Sequence, residues 1–182
     1  WKPAVELRAE MEVAVCPVLE PTNMTGSLRW ILTNQQIKQA SLSRMKLPTY
    51  LAELKRQGLL PLRSTHPQLP LIARLTGALF SDGYLYHHGS NNYREIMFVV
   101  GQREDAEHVC HDLRALGFVT KFKERTTFNQ IDGRSFSSHT YRVKCTSTSC
   151  WLFFKALGVP IGNKTNCAYV IPPWILRASP AI

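Results

Sequence analysis

The sequence predicts an α+β fold in which an antiparallel sheet carries its helices on one face, and three observations lead there. Residues Phe118 to Arg125 and Thr140 to Thr146 alternate apolar and cationic side chains with the period of two that belongs to strands. Apolar runs of helical spacing stand outside them, in "LPLIARLTGALFSDG" and "STSCWLFFKALG". With the elements between, the order reads αββαββα, the pattern of an α+β unit with its helices gathered on one side.

Taken in chain order, residues 1–67 form a small, mostly helical segment and residues 68–182 the main domain. The first segment opens with the alternating "MEVAVCPV" and the turn-rich "EPTNMTGS". Thr33 then caps "NQQIKQASL", and "PTYLAELKRQGLL" sets Leu51, Leu54 and Leu59 on one side with Gly58 near its end. "RSTHPQLP" reads as a linker. The main domain follows as a helix from about Leu69 to Asp82, closed by Gly83 as a left-handed cap, a strand at Tyr84 to His88, the loop "HGSNNY" and a strand at Arg94 to Val100. The helix "EDAEHVCHDLRALG" is opened by acids and closed by Gly117, as the dipole favours. The two alternating strands flank a polar loop containing "IDGR", and the last helix leads into "VPIGNKT".

Composition narrows the partner. Hydrophobic residues at 45% and charged residues at 19% exclude a solvated, disordered tail, while a net charge of +9 points to a polyanion. Five cysteines without a CxxC pair read as reduced and mostly structural. No apolar stretch is long enough to span a bilayer, so the expectation is a soluble, intracellular protein, cytoplasmic or nucleoid-associated, with no membrane partner.

The charge is concentrated. Between Phe118 and Thr146 six cations (Lys121, Lys123, Arg125, Arg134, Arg142 and Lys144) stand against the two acids Glu124 and Asp132. Alternation puts the strand cations on one face, where each contact with phosphate releases counterions, and a two-stranded ribbon fits a major groove. Tyr84, Tyr86, His88 and Arg94 extend that surface, and Gln102 adds a polar contact just past the second strand. Double-stranded DNA is the partner expected of such a face.

The helix ending at Asp82 raises a separate question. Ala73, Gly77 and Ser81 recur every fourth position, a narrow stripe that admits another helix. Asp82 puts a negative charge at the negative end of the dipole, a cost of roughly 0.3–1 kcal/mol that a bound divalent cation reverses. His108 and His111 flank Cys110, but nothing completes a metal set around them, and they read as a surface pair.

These residues resemble a known family. "LTGALFSDG" is similar to the LAGLIDADG motif of homing endonucleases, with Leu75, Gly77, Asp82 and Gly83 at its fixed positions. "LFFKALGVPIGNKT" followed by "VIPPWI" resembles the downstream pattern of the intein-encoded members, so the resemblance covers about Pro70 to Ile182. "WKPAVELRAEMEVAVCP" resembles an intein flank, with Glu10 and Met11 in place of the usual Gly-Asp; without a TxxH block the chain is not expected to splice by itself.

The resemblance implies metal-dependent hydrolysis of both strands of a long DNA target. It implies Asp82 and the Gly83 carbonyl as ligands to Mg²⁺, and Lys164 as the basic residue that orients water or stabilises phosphoryl charge. The second acid would come from a homodimer mate or from a second LAGLIDADG repeat. The tail "IPPWILRASPAI" suggests the first half of a two-motif enzyme, with a homodimer or a degenerate remnant as alternatives. A non-catalytic DNA-binding protein is the rival reading.

Overall fold

A computed structural model describes residues 30–43, 45–88, 93–131, 133–164 and 169–176, with the side chains of Asn129 and Ile131 left out. The expected strand "MEVAVCPV", the intein-like flank and the end of the tail lie outside the described residues.

The α+β class and the order αββαββα are as the sequence predicts. The main domain runs α3 (Leu69–Ser81), β3 (Tyr84–His88), β4 (Tyr93–Val100), α4 (Arg103–Ala115), β5 (Lys121–Ile131), β6 (Arg134–Cys145) and α5 (Thr148–Ala156), with a short α6 (Pro173–Leu176) after it. Its four strands lie in the order β3-β4-β6-β5, antiparallel throughout. Before it, β1 (Trp30–Leu32) and β2 (Leu62–Arg63) pair around α1 (Asn34–Ala40) and α2 (Leu47–Arg56), a small sheet that the sequence does not announce.

Local chemistry accounts for several boundaries. Thr33 and Gln36 form a reciprocal capping box, Thr33 N donating to Gln36 Oε1 at 2.8 Å and Gln36 N to Thr33 Oγ1 at 3.4 Å. The expected linker is an ordered corner: His66 Nε2 meets the Gly58 carbonyl at 3.1 Å, and Gln68 Nε2 donates to the Ala115 carbonyl at 2.8 Å. Residues of both expected segments also share one core, because Ile37 and Leu54 are buried in the same cluster as Phe98, Val143 and Trp151.

Two features differ from expectation. The "IDGR" stretch is not a long loop: β5 and β6 pair down to Ile131 opposite Arg134, leaving the two-residue Asp-Gly connection that favours a tight hairpin. Gly83, in turn, is not among the glycines with positive φ. It is needed for space, since a Cβ there would lie 3.0 Å from Leu79 Cα and 3.1 Å from the Ala78 carbonyl oxygen.

On α3 the buried residues Ile72, Leu75, Thr76 and Leu79 face the core. The small-residue stripe looks elsewhere: Ala73 is half-buried, Gly77 and Ser81 are exposed, and a Cβ on Gly77 would meet nothing within 4 Å. Arg74 ties α3 to α4 through a two-pronged ion pair with the buried Asp112, at 2.8 and 2.7 Å.

Candidate nucleic-acid interface

Strand register sorts the sheet into two faces. Ile96, Phe98, Val143, Cys145 and Phe122 point to the side where α4 and α5 pack, and all but the half-buried Phe122 are buried. Because neighbours alternate, Arg142 and Lys144 of β6 point to the other side. The pairings Lys144 with Lys121 and Arg142 with Lys123, separated by the rung of Phe122 with Val143, line up four cations on one face, and Arg125 continues the row. Tyr84, Tyr86 and His88 of β3 lie on this face too, as does Arg134 near the far end of the hairpin. A groove of about 800 Å³ runs here, lined by Lys121, Lys123, Arg125, Arg142 and Lys144, with the acids Glu53 and Glu124 also on its walls.

A further acid on this face, Glu95, is one the sequence reading missed. Glu95, nearly buried in β4, accepts from Lys144 Nζ at 3.3 and 3.4 Å and from the Tyr93 hydroxyl at 2.6 Å. The hydrogen bond to Glu95 pushes the Tyr93 phenol up to about 12, with burial and the charge of Glu95 acting in the same direction. Glu95 thus fixes Lys144 in place and offsets one of the five charges. Beside it the Arg142 Nε is buried without a hydrogen-bond partner among the described residues. The Tyr84 hydroxyl turns to Met97 Sδ at 2.8 Å, and burial raises its pKa.

Two expected contacts fall elsewhere. Arg94 points to the helical side, only 6% exposed, with its guanidinium 5.7 Å from the centre of the Trp151 ring. It therefore belongs to an internal cluster with His87, whose ring is 5.9 Å from Trp151, and Lys155, which donates to the Ala40 carbonyl. Burial, then Arg94 and Lys155, lowers the His87 pKa, so the fold holds this imidazole neutral. Gln102 is exposed and stands as the residue before α4, just past the end of β4.

Asp82 and Lys164 do come together. Gly162 N donates to the Leu85 carbonyl at 2.8 Å, and Ile161 bridges Leu85, which pins the loop before Lys164 along β3. Asp82, Lys164, Tyr84 and Tyr86 then line one cavity of about 530 Å³ at the corner of the cationic face. The Lys164 ammonium, however, is engaged by the end of α3. With its three N–H groups it lies within hydrogen-bond distance of four carbonyls, those of Leu79 and Phe80 at 3.0 Å, Gly83 at 2.7 Å and Ser81 at 2.5 Å.

Lys164 therefore supplies the positive charge that the C-terminus of α3 calls for, despite Asp82 beside it. The Gly83 carbonyl, expected to face a metal ion, accepts from this ammonium instead. Asp82 is the only carboxylate lining the cavity, and among the described residues no group of three His, Cys, Asp or Glu could hold a metal ion. Among the same residues, no helix is long and apolar enough to cross a membrane.

Similarity to known proteins bears on this face. Over 135 residues, 72% of this chain, the sequence is 37% identical to a tRNA-splicing ligase RtcB of Pyrococcus abyssi, of which the matched stretch is 14%. It is 34% identical over 127 residues, 66% of the chain, to the ligase of the same name from Methanocaldococcus jannaschii, covering 13% of it. A third relative, the DNA-directed RNA polymerase subunit Rpo1N of M. jannaschii, is 30% identical over 132 residues, 69% of the chain and 10% of that subunit. The chain thus spans a small part of each of these proteins. No family model matches it.

These names correct the family expectation. Relatives covering about 70% of the chain are named tRNA-splicing ligase, none a homing endonuclease. The LAGLIDADG identification, the intein assignment and the metal-dependent DNA hydrolase drawn from it are overturned. The non-catalytic member of the same family goes with them.

Two outcomes test this geometry. Lys164→Met is expected to cost about 1–2 kcal/mol of stability, by removing the cation at a partly buried helix end, and to speed amide exchange at Asp82 and Gly83. Unchanged exchange there would show that the ammonium does not hold the helix end. For His87, the unfolded chain takes up a proton below the ordinary 6.5 while the fold resists it, so its contribution is present above that pH and is lost on acidification. From about pH 7.5 to about pH 5.5 the melting temperature is expected to fall less in His87→Asn than in the parent. Parallel curves would remove His87 from the acid response.

Proposed function

We propose that this chain is a nucleic-acid-binding module, and that the open face of its sheet holds the phosphate backbone of a duplex stem. One observation carries the reading: Lys121, Lys123, Arg125, Arg142 and Lys144 gather on a single face, where they outnumber the acids Glu95, Glu53 and Glu124 beside them. A half-exposed sheet needs polarity on its open side, but polarity alone gives no reason for one sign. Glu95 also orders Lys144, so less side-chain freedom is lost when phosphate arrives.

The relatives support a nucleic-acid ligand, since one is a tRNA-splicing ligase by name and another a DNA-directed RNA polymerase subunit. Ligation itself is named for proteins of which this stretch is 13 or 14%, and a stretch of similar extent recurs in a polymerase subunit. The property common to all is therefore sought in nucleic-acid contact. A duplex RNA stem and double-stranded DNA offer the same backbone chemistry. An intracellular location goes with either ligand.

The direct test is binding to an RNA stem, a DNA duplex of the same sequence and the single strands, over a range of salt. Removing Lys121, Lys123, Arg142 and Lys144 together is expected to flatten the slope of log K against log salt by about 3–4 for DNA. An unchanged slope would mean that this face does not meet phosphate. Tighter binding to the RNA stem or to the DNA decides between the two sources.

A further inference from the structure

The β5–β6 hairpin is longer than the sheet it belongs to. β4 pairs with β6 only from Tyr141 to Cys145, whereas β5 continues along β6 to Arg134. Residues 126–139 are therefore a two-stranded ribbon that leaves the third strand behind. At about 3.3 Å per residue, Phe136 lies roughly 20 Å along β6 from Arg142, past the groove that holds the cations.

The ribbon carries two exposed phenylalanines. Phe128 is 83% exposed and Phe136 is 43% exposed. They sit on neighbouring rungs, Phe128 opposite Ser137 and Phe136 opposite Asn129, so they point to opposite faces. Phe136 has the parity of Arg142 and Lys144 and shares the cationic face, with Arg134 two residues away on the same side. Phe128 has the parity of Phe122 and lies on the helical side, beyond the helices.

Resting on the reading of the face as a stem-binding surface, we infer that Phe136 is a stacking platform for an unpaired base next to that stem, flanked by the cation of Arg134. A paired base has both faces covered by its neighbours, whereas a bulged or looped base offers one, and aromatic side chains take it up with little dependence on sequence. The ribbon supplies the reach: the sheet holds the stem and the arm meets whatever interrupts it. Arg134 neutralises the phosphate beside the splayed nucleotide.

The test uses the whole chain and three RNA probes: a fully paired stem, the same stem with one bulged 2-aminopurine, and the same stem with that 2-aminopurine paired. The parent is expected to prefer the bulged stem by roughly tenfold and to quench its fluorescence. Phe136→Ala is expected to lose the preference and the quenching while still binding the paired stem as the parent does. Phe128→Ala, which alters the same ribbon on its other face, is expected to behave like the parent.

Equal affinity of the parent for bulged and paired stems overturns the inference and leaves the stem-binding reading intact. Equal losses in Phe128→Ala and Phe136→Ala overturn it as well, because the effect would then come from the ribbon's stability. Failure of the parent to bind the paired stem removes the stem-binding reading, and the inference with it.

Discussion

The buried side of β6 sets the arrangement of the rest. Val143 and Cys145 are fully enclosed beneath the sheet, next to Ile96 and Phe98 of β4. A strand has no freedom to bury alternate residues on one side without presenting the others on the opposite side. A slip of one residue would drive Arg142 and Lys144 into the core, at a cost far beyond any surface interaction. The hydrophobic effect that closes the core therefore also fixes the cations of β6, and through register those of β5, in two alternate rungs of one face. The same constraint places Glu95 where it can hold Lys144, and keeps Arg94 on the inner side against Trp151.

A second constraint acts at the corner of this face. Helix α3 ends on Asp82, and the chain turns at once into β3 through Gly83, where any side chain would strike Leu79. The charge balance at that end comes from Lys164, delivered by a loop pinned to Leu85. One ammonium thus couples the last turn of α3, the start of β3 and the segment after α5. The acid in the last turn is tolerated because this cation lies within hydrogen-bond distance of four carbonyls. Tyr84 and Tyr86 stand on the same corner, so its rigidity bears on the shape of the binding face.

Much of this was legible in the residues. Alternation in "KFKER" and "YRVKC" marks both strands and their sign because each has one wet face. The capping residues and Gly117 mark helix ends through purely local chemistry. Legibility fails where the pattern is not periodic or the partner is distant. "IMFVV" in β4 is apolar throughout, so nothing in it says which way Arg94 or Glu95 turns; one was assigned to the wrong face and the other overlooked. Lys164 meets α3 more than eighty residues away in sequence, a contact that no local signal encodes. The nine residues that suggested an endonuclease family describe a helix end, and helix ends of this kind carry less information about function than the names of the relatives do.

Lysine footprinting on the bound complex tests the central claim most directly. With a saturating RNA stem or DNA duplex present, Lys121, Lys123 and Lys144 should lose reactivity toward an acylating reagent, while the exposed Lys38 on α1, the helix packed on α5, keeps its own. Protection of Lys38 with the three sheet lysines still reactive would contradict the account, and place the nucleic acid on the helical side.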